Sequence, residues 1–259
     1  MFGGRYRAKV AIVTGASSGL GRRMALDLAR AGALVTGVAR RGDLLDELAG
    51  RMESVSPGCA VEVCDVADAD AFAALVSRVE TLHGGIDILV NNAAIDPGVR
   101  LAEVDLEDFH RSFDVNFFAA VAGTLAVLPG MMERSTGIVV NVSSDAARLP
   151  PAGPGLYPSS KAALSVFTES IWYKAREHGV HLHVVYPAWM PTAMGNAAVE
   201  RGLRRPPRPA RSTEDEVSRL VLAKMGSARL ELSASGLVDK AVVLRAAFPR
   251  VYRRLRQRW

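Results

Sequence analysis

Cysteine is scarce in this 259-residue chain: only Cys59 and Cys64 are present. Two thiols make no disulfide framework, and their spacing matches no zinc-ligand pattern. Both read as small apolar core residues, and a reducing cytoplasm is the default setting. Long hydrophobic runs are missing too. The longest, such as Val10-Ala11-Ile12-Val13, have the length of strands, so no segment is expected to span a bilayer. A strand begins within ten residues of Met1 with no signal-peptide core before it.

Acidic residues are absent from two stretches near the C-terminus. Residues 201–211 hold five arginines, and residues 240–259 hold one lysine and six arginines. Taking those twelve cations from the net charge of +5 leaves the rest of the chain at −7. The basicity is local, which argues against a general nucleic-acid-binding surface. The histidines mark no metal site: His181 and His183 alternate along an apolar run and read as packed or exposed.

What remains is an ordinary globular mix, 49% hydrophobic and 23% charged. Short β-branched runs alternate with stretches of helical period, the pattern of βαβ units around a parallel sheet. The pattern predicts strands at residues 10–14, 34–39, 60–64, 86–91, 138–142 and 180–186. Helices are expected at 22–31, 69–82, 106–128 and 160–178. Several strands are almost uninterruptedly apolar, as strands covered on both faces should be. The Arg/Pro-rich composition of residues 201–211 marks a loop or lid.

The first strand runs directly into Thr14-Gly15-Ala16-Ser17-Ser18-Gly19-Leu20-Gly21 and then a helix. The glycines permit a tight turn and close backbone approach to a pyrophosphate, and the helix N-terminus offers that anion unpaired N–H groups. The end of the second strand bears on cofactor choice. A carboxylate there would suit the adenosine 2′-hydroxyl of NAD, but the sequence reads Val38-Ala39-Arg40-Arg41. An arginine suits the 2′-phosphate of NADP(H), with Arg40 placed ahead of Arg41 and Arg22 able to assist.

Tyr157-Pro158-Ser159-Ser160-Lys161 sets a phenol and an ammonium four residues apart, on one face of a helix. The lysine, with the positive ring of an oxidised nicotinamide, is expected to favour the phenolate, so that Tyr157 can exchange a proton with a substrate oxygen. Upstream, the strand at 138–142 ends in Ser143-Ser144, and Ser144 can hold that oxygen in place. Ser143 is the alternative.

Together these motifs resemble the short-chain dehydrogenase/reductase family. T-G-x-x-x-G-x-G, Asn91-Asn92-Ala93-Ala94, Asn116, Ser144 and Tyr157-x-x-x-Lys161 follow the family's order and spacing from residue 8 to about 195. The resemblance implies a single-domain Rossmann fold, an α/β doubly wound parallel sheet, with a helical basic C-terminal extension. It implies a catalytic tetrad of Asn116, Ser144, Tyr157 and Lys161, with Lys161 also on the nicotinamide ribose and a water-linked proton path through Asn116. For the cofactor it implies contacts from Gly15, Ser17, Ser18, Gly19, Leu20, Gly21, Asn92, Ala93 and Pro187. Asp65 and Val66 would meet adenine, Asn91 would brace the sheet, and Thr192 would bind the carboxamide. A small-molecule ketone or alcohol is the implied substrate, and a homodimer or homotetramer the implied assembly. Ala94 and Ala188 stand where the family usually has glycine, each adding a methyl near the cofactor or substrate.

The body of the domain is expected over residues 1–236, with a lid near 190–212. Trp189, Met190 and Met194 suit a hydrophobic substrate. In residues 237–259, Leu237, Ala241, Leu244 and Phe248, then Tyr252, Leu255 and Trp259, recur at helical spacing among arginines, with Pro249 separating two helices. Such a tail can lie on an anionic membrane, dock on a partner subunit or fold back over the site. The leading reading is an NADP(H)-dependent oxidoreductase. A 3-oxoacyl-thioester reductase is the alternative within enzymes, and an NADP(H)-sensing regulatory protein the alternative outside them.

Overall fold

The computed structural model describes residues 4–256. Its centre is a strand with no polar face. β1 (Val10–Thr14) is buried at every position, with Ala11 and Val13 in one hydrophobic core and Val10 and Ile12 in another. Strand alternation thus feeds two cores, one on each side of a sheet. β2 (Leu34–Ala39), β3 (Ala60–Val63), β4 (Ile88–Asn91), β5 (Gly137–Val142), β6 (Val180–Tyr186) and β7 (Glu231–Ser233) complete the sheet. All pairings are parallel, in the order β3-β2-β1-β4-β5-β6-β7. Strand order reverses between β1 and β4, and the carboxyl ends there open a crevice where doubly wound sheets bind ligands.

Helices α1 (Gly19–Arg30), α2 (Gly42–Glu53) and α9 (Glu214–Lys224) contribute to the first core. The second is built from α3 (Ala69–His83), α5 (Ala119–Glu133) and α7 (Leu156–Glu177). The expected strands all form, trimmed by a residue or two at β3 and β4. β7 pairs with β6 through Val184↔Glu231, Val185↔Leu232 and Tyr186↔Ser233. The helix at 42–53, which the sequence reading omits, is α2.

The helix expected at 106–128 is interrupted. α4 (Leu106–Phe113) passes through a π-helical turn (Asp114–Phe118) before α5 begins. The extra residue per turn rotates Asn116 into the interior, where it is fully buried. The whole rod, Leu106–Glu133, contains an 18-residue window of mean hydropathy 1.7, long and apolar enough by composition to cross a membrane. That corrects the expectation drawn from uninterrupted apolar runs, which overlooks a helix interspersed with few charges. In this fold Ala119, Ala120, Gly123, Thr124, Val127 and Met131 of α5 are buried.

Two short elements and a tail follow the crevice: α6 (Asp145–Arg148), α8 (Ala193–Glu200), then α10 (Gly236–Ala247) and α11 (Pro249–Arg256). Pro249 opens α11, where its missing N–H costs no helical bond. Leu237, Phe248, Val251 and Leu255 of this tail are exposed. Trp259 lies outside the described residues.

A methyl group on Gly123 would sit 2.7 Å from a Phe72 ring carbon and 3.0 Å from Asn91 Oδ1, whereas one on Gly50 of α2 would meet open space. Gly123→Ala is therefore expected to lower stability by about 1–3 kcal/mol through overpacking. Gly50→Ala should raise it by up to about 1 kcal/mol. Chemical denaturation of both variants checks the contrast, and an unaffected Gly123→Ala would contradict the close approach of α5 to the sheet.

Candidate functional site

The turn after β1 is held by β4. Thr14 Oγ1 accepts from the backbone N–H of Asn92 (3.0 Å) and Ala93 (3.1 Å) and donates to the Val90 carbonyl (3.3 Å). Asn92 Nδ2 donates to the Thr14 carbonyl at 3.0 Å. Gly15 and Gly19 occupy the left-handed region, with φ +68° and +56°. A Cβ on Gly21 would overlap Asn92 Nδ2 and the Gly15 carbonyl, so glycine is the residue that fits there. Ser18 is the N-cap of α1 but makes no side-chain capping bond, which leaves first-turn N–H groups unspent. Leu20 is buried and anchors the first turn of the helix. Tight glycines and an uncapped helix start fit the pyrophosphate of a dinucleotide.

The two arginines after β2 take different positions. Arg41 Nη2 donates to Ser17 Oγ (2.9 Å) and Ser18 Oγ (2.7 Å), so its guanidinium lies on the glycine-rich turn. Arg40, also exposed, reaches Asp65 Oδ2 at 3.5 Å. Arg22 pairs with Glu47. The sequence ranks Arg40 first because it follows the strand directly; the backbone aims its neighbour at the turn instead. Asp65 also accepts from the Ala67 N–H (3.1 Å), and Val66 is buried beside it.

The catalytic candidates converge at the ends of β5 and α7. Ser143 is taken up structurally: its hydroxyl donates to the Lys161 carbonyl at 2.9 Å and lies 2.8 Å from Ser165 Oγ. Ser144, half-buried, caps α6 by accepting from the Ala146 N–H, and its hydroxyl stands beside the Tyr157 phenol. Of the two serines, Ser144 meets the phenol. Lys161 is buried, its Nζ donates to the Val142 carbonyl at 2.9 Å, and it lies 6.0 Å from the Tyr157 ring centre. The Asn116 side chain is spent on structure. It accepts from the Ile95 N–H (2.8 Å) and donates to the Ile95 carbonyl (2.9 Å) and Ser160 Oγ (3.0 Å).

Burial sets the electrostatics of the site in the protein without cofactor. Burial pushes the Tyr157 phenol up to about 12; the hydrogen bond to Ser144 opposes the rise and the Asp96 carboxylate adds to it. Burial also draws the Lys161 amine down to about 7. In the protein alone, desolvation outweighs any help the lysine gives the phenolate.

The structure adds residues that the motifs did not single out. Arg148 donates to Asp145 (2.6 Å), Asp239 (3.0 Å) and Ser233 (2.9 Å) and packs 4.0 Å from the Tyr186 ring centre. Arg245 of α10 donates to the Arg148 carbonyl. The C-terminal helix thus braces the loop that carries Ser144. Burial lifts Asp145 to about 6 despite its arginine partner. Arg201 pairs with Asp96 at 2.5 Å, joining the stretch after α8 to the loop after β4. No local motif signals either contact, since the partners lie 91 and 105 residues apart.

After β6, the Pro187 carbonyl accepts from Asp145 N–H (3.1 Å) and Ala188 is buried, its carbonyl accepting from Ser212 Oγ. Thr192 caps α8 through Gly195 N–H (3.1 Å). Its methyl would lie 3.6 Å from a Cβ on Gly19, so it faces the glycine-rich turn across the crevice.

Sheet order, turn and crevice define a dinucleotide-binding α/β domain. Comparison with known proteins narrows the class: the short chain dehydrogenase family model matches residues 9–202, and the chain belongs to that family. A short chain dehydrogenase of Pseudocercospora fijiensis is 38% identical over 75% of this chain and 63% of its own length. A fatty acyl-CoA reductase of Acinetobacter baylyi is 32% identical over 75% of this chain and 66% of its own. This chain thus spans just under two thirds of each of those relatives. A variant of the actinorhodin polyketide ketoreductase, solved with NADPH, superposes with a TM-score of 0.81 at 26% identity, covering 89% of this chain and 97% of that one.

Lys161 offers a pH test. Its folded value lies below its ordinary 10.5, so the unfolded chain binds the extra proton between about pH 7 and 10.5 and stability falls as pH drops through that window. Wild type is expected to gain roughly 3 kcal/mol over Lys161→Met between pH 7 and pH 9.5. Urea denaturation at the two pH values checks it; parallel behaviour would contradict a desolvated amine.

Proposed function

We propose that the protein transfers hydride between NADP(H) and the carbonyl or secondary-alcohol carbon of a small, largely apolar molecule. The observation that carries this reading is the buried Lys161 amine 6.0 Å from the Tyr157 ring centre, with the Ser144 hydroxyl beside the phenol. In this reading Ser144 holds the substrate oxygen, Tyr157 exchanges the proton, and Lys161 orients the cofactor ribose and supports the phenolate. Asn116 contributes by fixing the π-helical turn and the Ile95 backbone against α7. When bound, the dinucleotide supplies or accepts the hydride, and its oxidised ring adds the positive charge that a phenol raised to about 12 requires.

Selection of NADP(H) rests on Arg41, held by Ser17 and Ser18, with Arg40 as the second cation and no carboxylate at the end of β2. Asp65, Val66, Asn92, Ala93, Pro187 and Thr192 complete the proposed cofactor groove. Trp189 and Met190, both partly buried, would line the substrate side. A second reading, reduction of the 3-oxo group of an acyl thioester, draws support from the arginine-rich lid and the acyl-CoA reductase relative. A homo-oligomer is also proposed, formed through the outer faces of the rod and α7, where Phe118, Leu125, Val166 and Tyr173 are exposed. The exposed apolar residues of α11, set among arginines, suit peripheral contact with an anionic membrane.

Steady-state kinetics with a panel of ketones and acyl thioesters test the proposal. NADPH is expected to exceed NADH in kcat/KM by about 10- to 100-fold, the worth of one charge-assisted arginine–phosphate contact. Arg41→Ala should erase that preference, and Tyr157→Phe should lower kcat by about 10²- to 10⁴-fold without weakening NADPH binding. Equal use of the two cofactors, or an active Tyr157→Phe, would contradict it.

A further inference from the structure

The lid holds a cavity that includes the substrate-side Trp189 but none of Ser144, Tyr157 and Lys161. It has a volume of about 340 Å³ and is lined by Trp189, Pro191, Arg205, Arg208, Arg211 and Glu216, among others. That lies at the lower end of the range for small-molecule sites. Three arginines therefore line one space with a single acidic residue among its walls. Glu216 is already engaged, since its carboxylate accepts from the Thr213 N–H at 2.8 Å in the capping box of α9.

The arginines are not a loose solvated run. Arg205 and Arg211 approach the Trp189 ring as cation–π neighbours, their guanidinium carbons 5.2 and 5.8 Å from its centre. Trp189 is itself fixed, bridging to Arg211 along the backbone and donating its indole N–H to the Gly195 carbonyl at 3.2 Å. Arg211 is tied further by its Nε donating to the Pro206 carbonyl (2.5 Å). By contrast, Arg201 of the same segment has its carboxylate in Asp96. Guanidiniums held beside an aromatic face keep donor edges for an anion, and their mutual repulsion is relieved by a multiply charged one.

We propose that this cavity is a subsite for a phosphate ester carried by the substrate, remote from the reacting carbon. A phosphate dianion answers several convergent guanidinium forks where a single carboxylate answers one. Placement supports a substrate role: Trp189 and Pro191 belong to the segment that leads from β6 to Thr192, which faces the glycine-rich turn. The assignment rests on the acyl-thioester reading of the oxidoreductase for the identity of the ligand as substrate, while the binding itself can be measured apart from turnover. The phosphate can belong to a free nucleotide-type thioester carrier or to a phosphopantetheine arm.

The test uses the full chain saturated with NADPH, so that the cofactor groove is filled. Calorimetry measures binding of coenzyme A, of 4′-phosphopantetheine and of unphosphorylated pantetheine. Coenzyme A or 4′-phosphopantetheine is expected to bind at least about tenfold more tightly than pantetheine. Binding of both assigns the subsite to the pantetheine phosphate, and binding of coenzyme A alone assigns it to the nucleotide phosphates. Arg205→Gln with Arg208→Gln should remove that advantage and leave NADPH affinity and reduction of an uncharged ketone unchanged. Equal affinities for the three probes would overturn the proposal. So would a double variant that loses NADPH affinity to the same degree, because the cavity would then serve the cofactor. Loss of uncharged-ketone turnover in the wild type would instead count against the oxidoreductase reading, which keeps the two failures distinct.

Discussion

Desolvation of the Tyr157–Lys161 pair is the constraint around which the site is arranged. Lys161 lies under the sheet's carboxyl edge, where among the described residues the Val142 carbonyl is its one hydrogen-bond acceptor, and Tyr157 is partly buried beside Ser144. Burial makes both groups reluctant to ionise, one drawn down to about 7 and the other pushed up to about 12. A site held in this way is sensitive to any charge brought beside it, since little water is present to screen the effect. The surrounding residues keep the pair buried. Ser143 ties β5 to α7, the π-helical turn seats Asn116 against Ser160, and Arg148 ties α6 to the C-terminal helix.

That arrangement accounts for why so much of the fold is required. Every candidate residue sits at the carboxyl end of a parallel strand or on the helix that follows: Gly15–Gly21 after β1, Arg40 and Arg41 after β2, Asp65 after β3, Asn92 and Ala93 after β4, Ser144 after β5, Thr192 after β6. The reversal of strand order between β1 and β4 separates neighbouring crossovers and leaves room for a ligand. Thr14 joins the two strands at that point, which makes one hydroxyl a link between the glycine-rich turn and the segment beginning at Asn92.

Much of this was legible in the sequence because the relevant signals are local. Strand periodicity, a glycine-rich turn between a strand and a helix, and a tyrosine four residues before a lysine all operate within one or two elements. The choice between Ser143 and Ser144 was not legible, since it depends on which hydroxyl faces α7. Nor was the preference of Arg41 for Ser17 and Ser18, which turns on the backbone direction at the end of β2. Arg148 and Asp96 acquire partners from far along the chain, so no spacing rule reaches them. The π-helical turn escaped for a related reason: its sequence reads as uninterrupted helix, and only packing against Ile95 and Ser160 distinguishes it. The rise of the Tyr157 phenol in the protein without cofactor was not legible, because spacing shows a neighbouring ammonium and conceals the depth of burial.

The most direct test of hydride transfer at this centre is an isotope experiment with NADPH deuterated at C4 of the nicotinamide and a prochiral ketone. Mass spectrometry of the alcohol should find one deuterium on the carbinol carbon, delivered to one face, in a reaction that Tyr157→Phe nearly abolishes. Alcohol without deuterium, using cofactor stereospecifically labelled on either face, or undiminished transfer by Tyr157→Phe, would contradict the account.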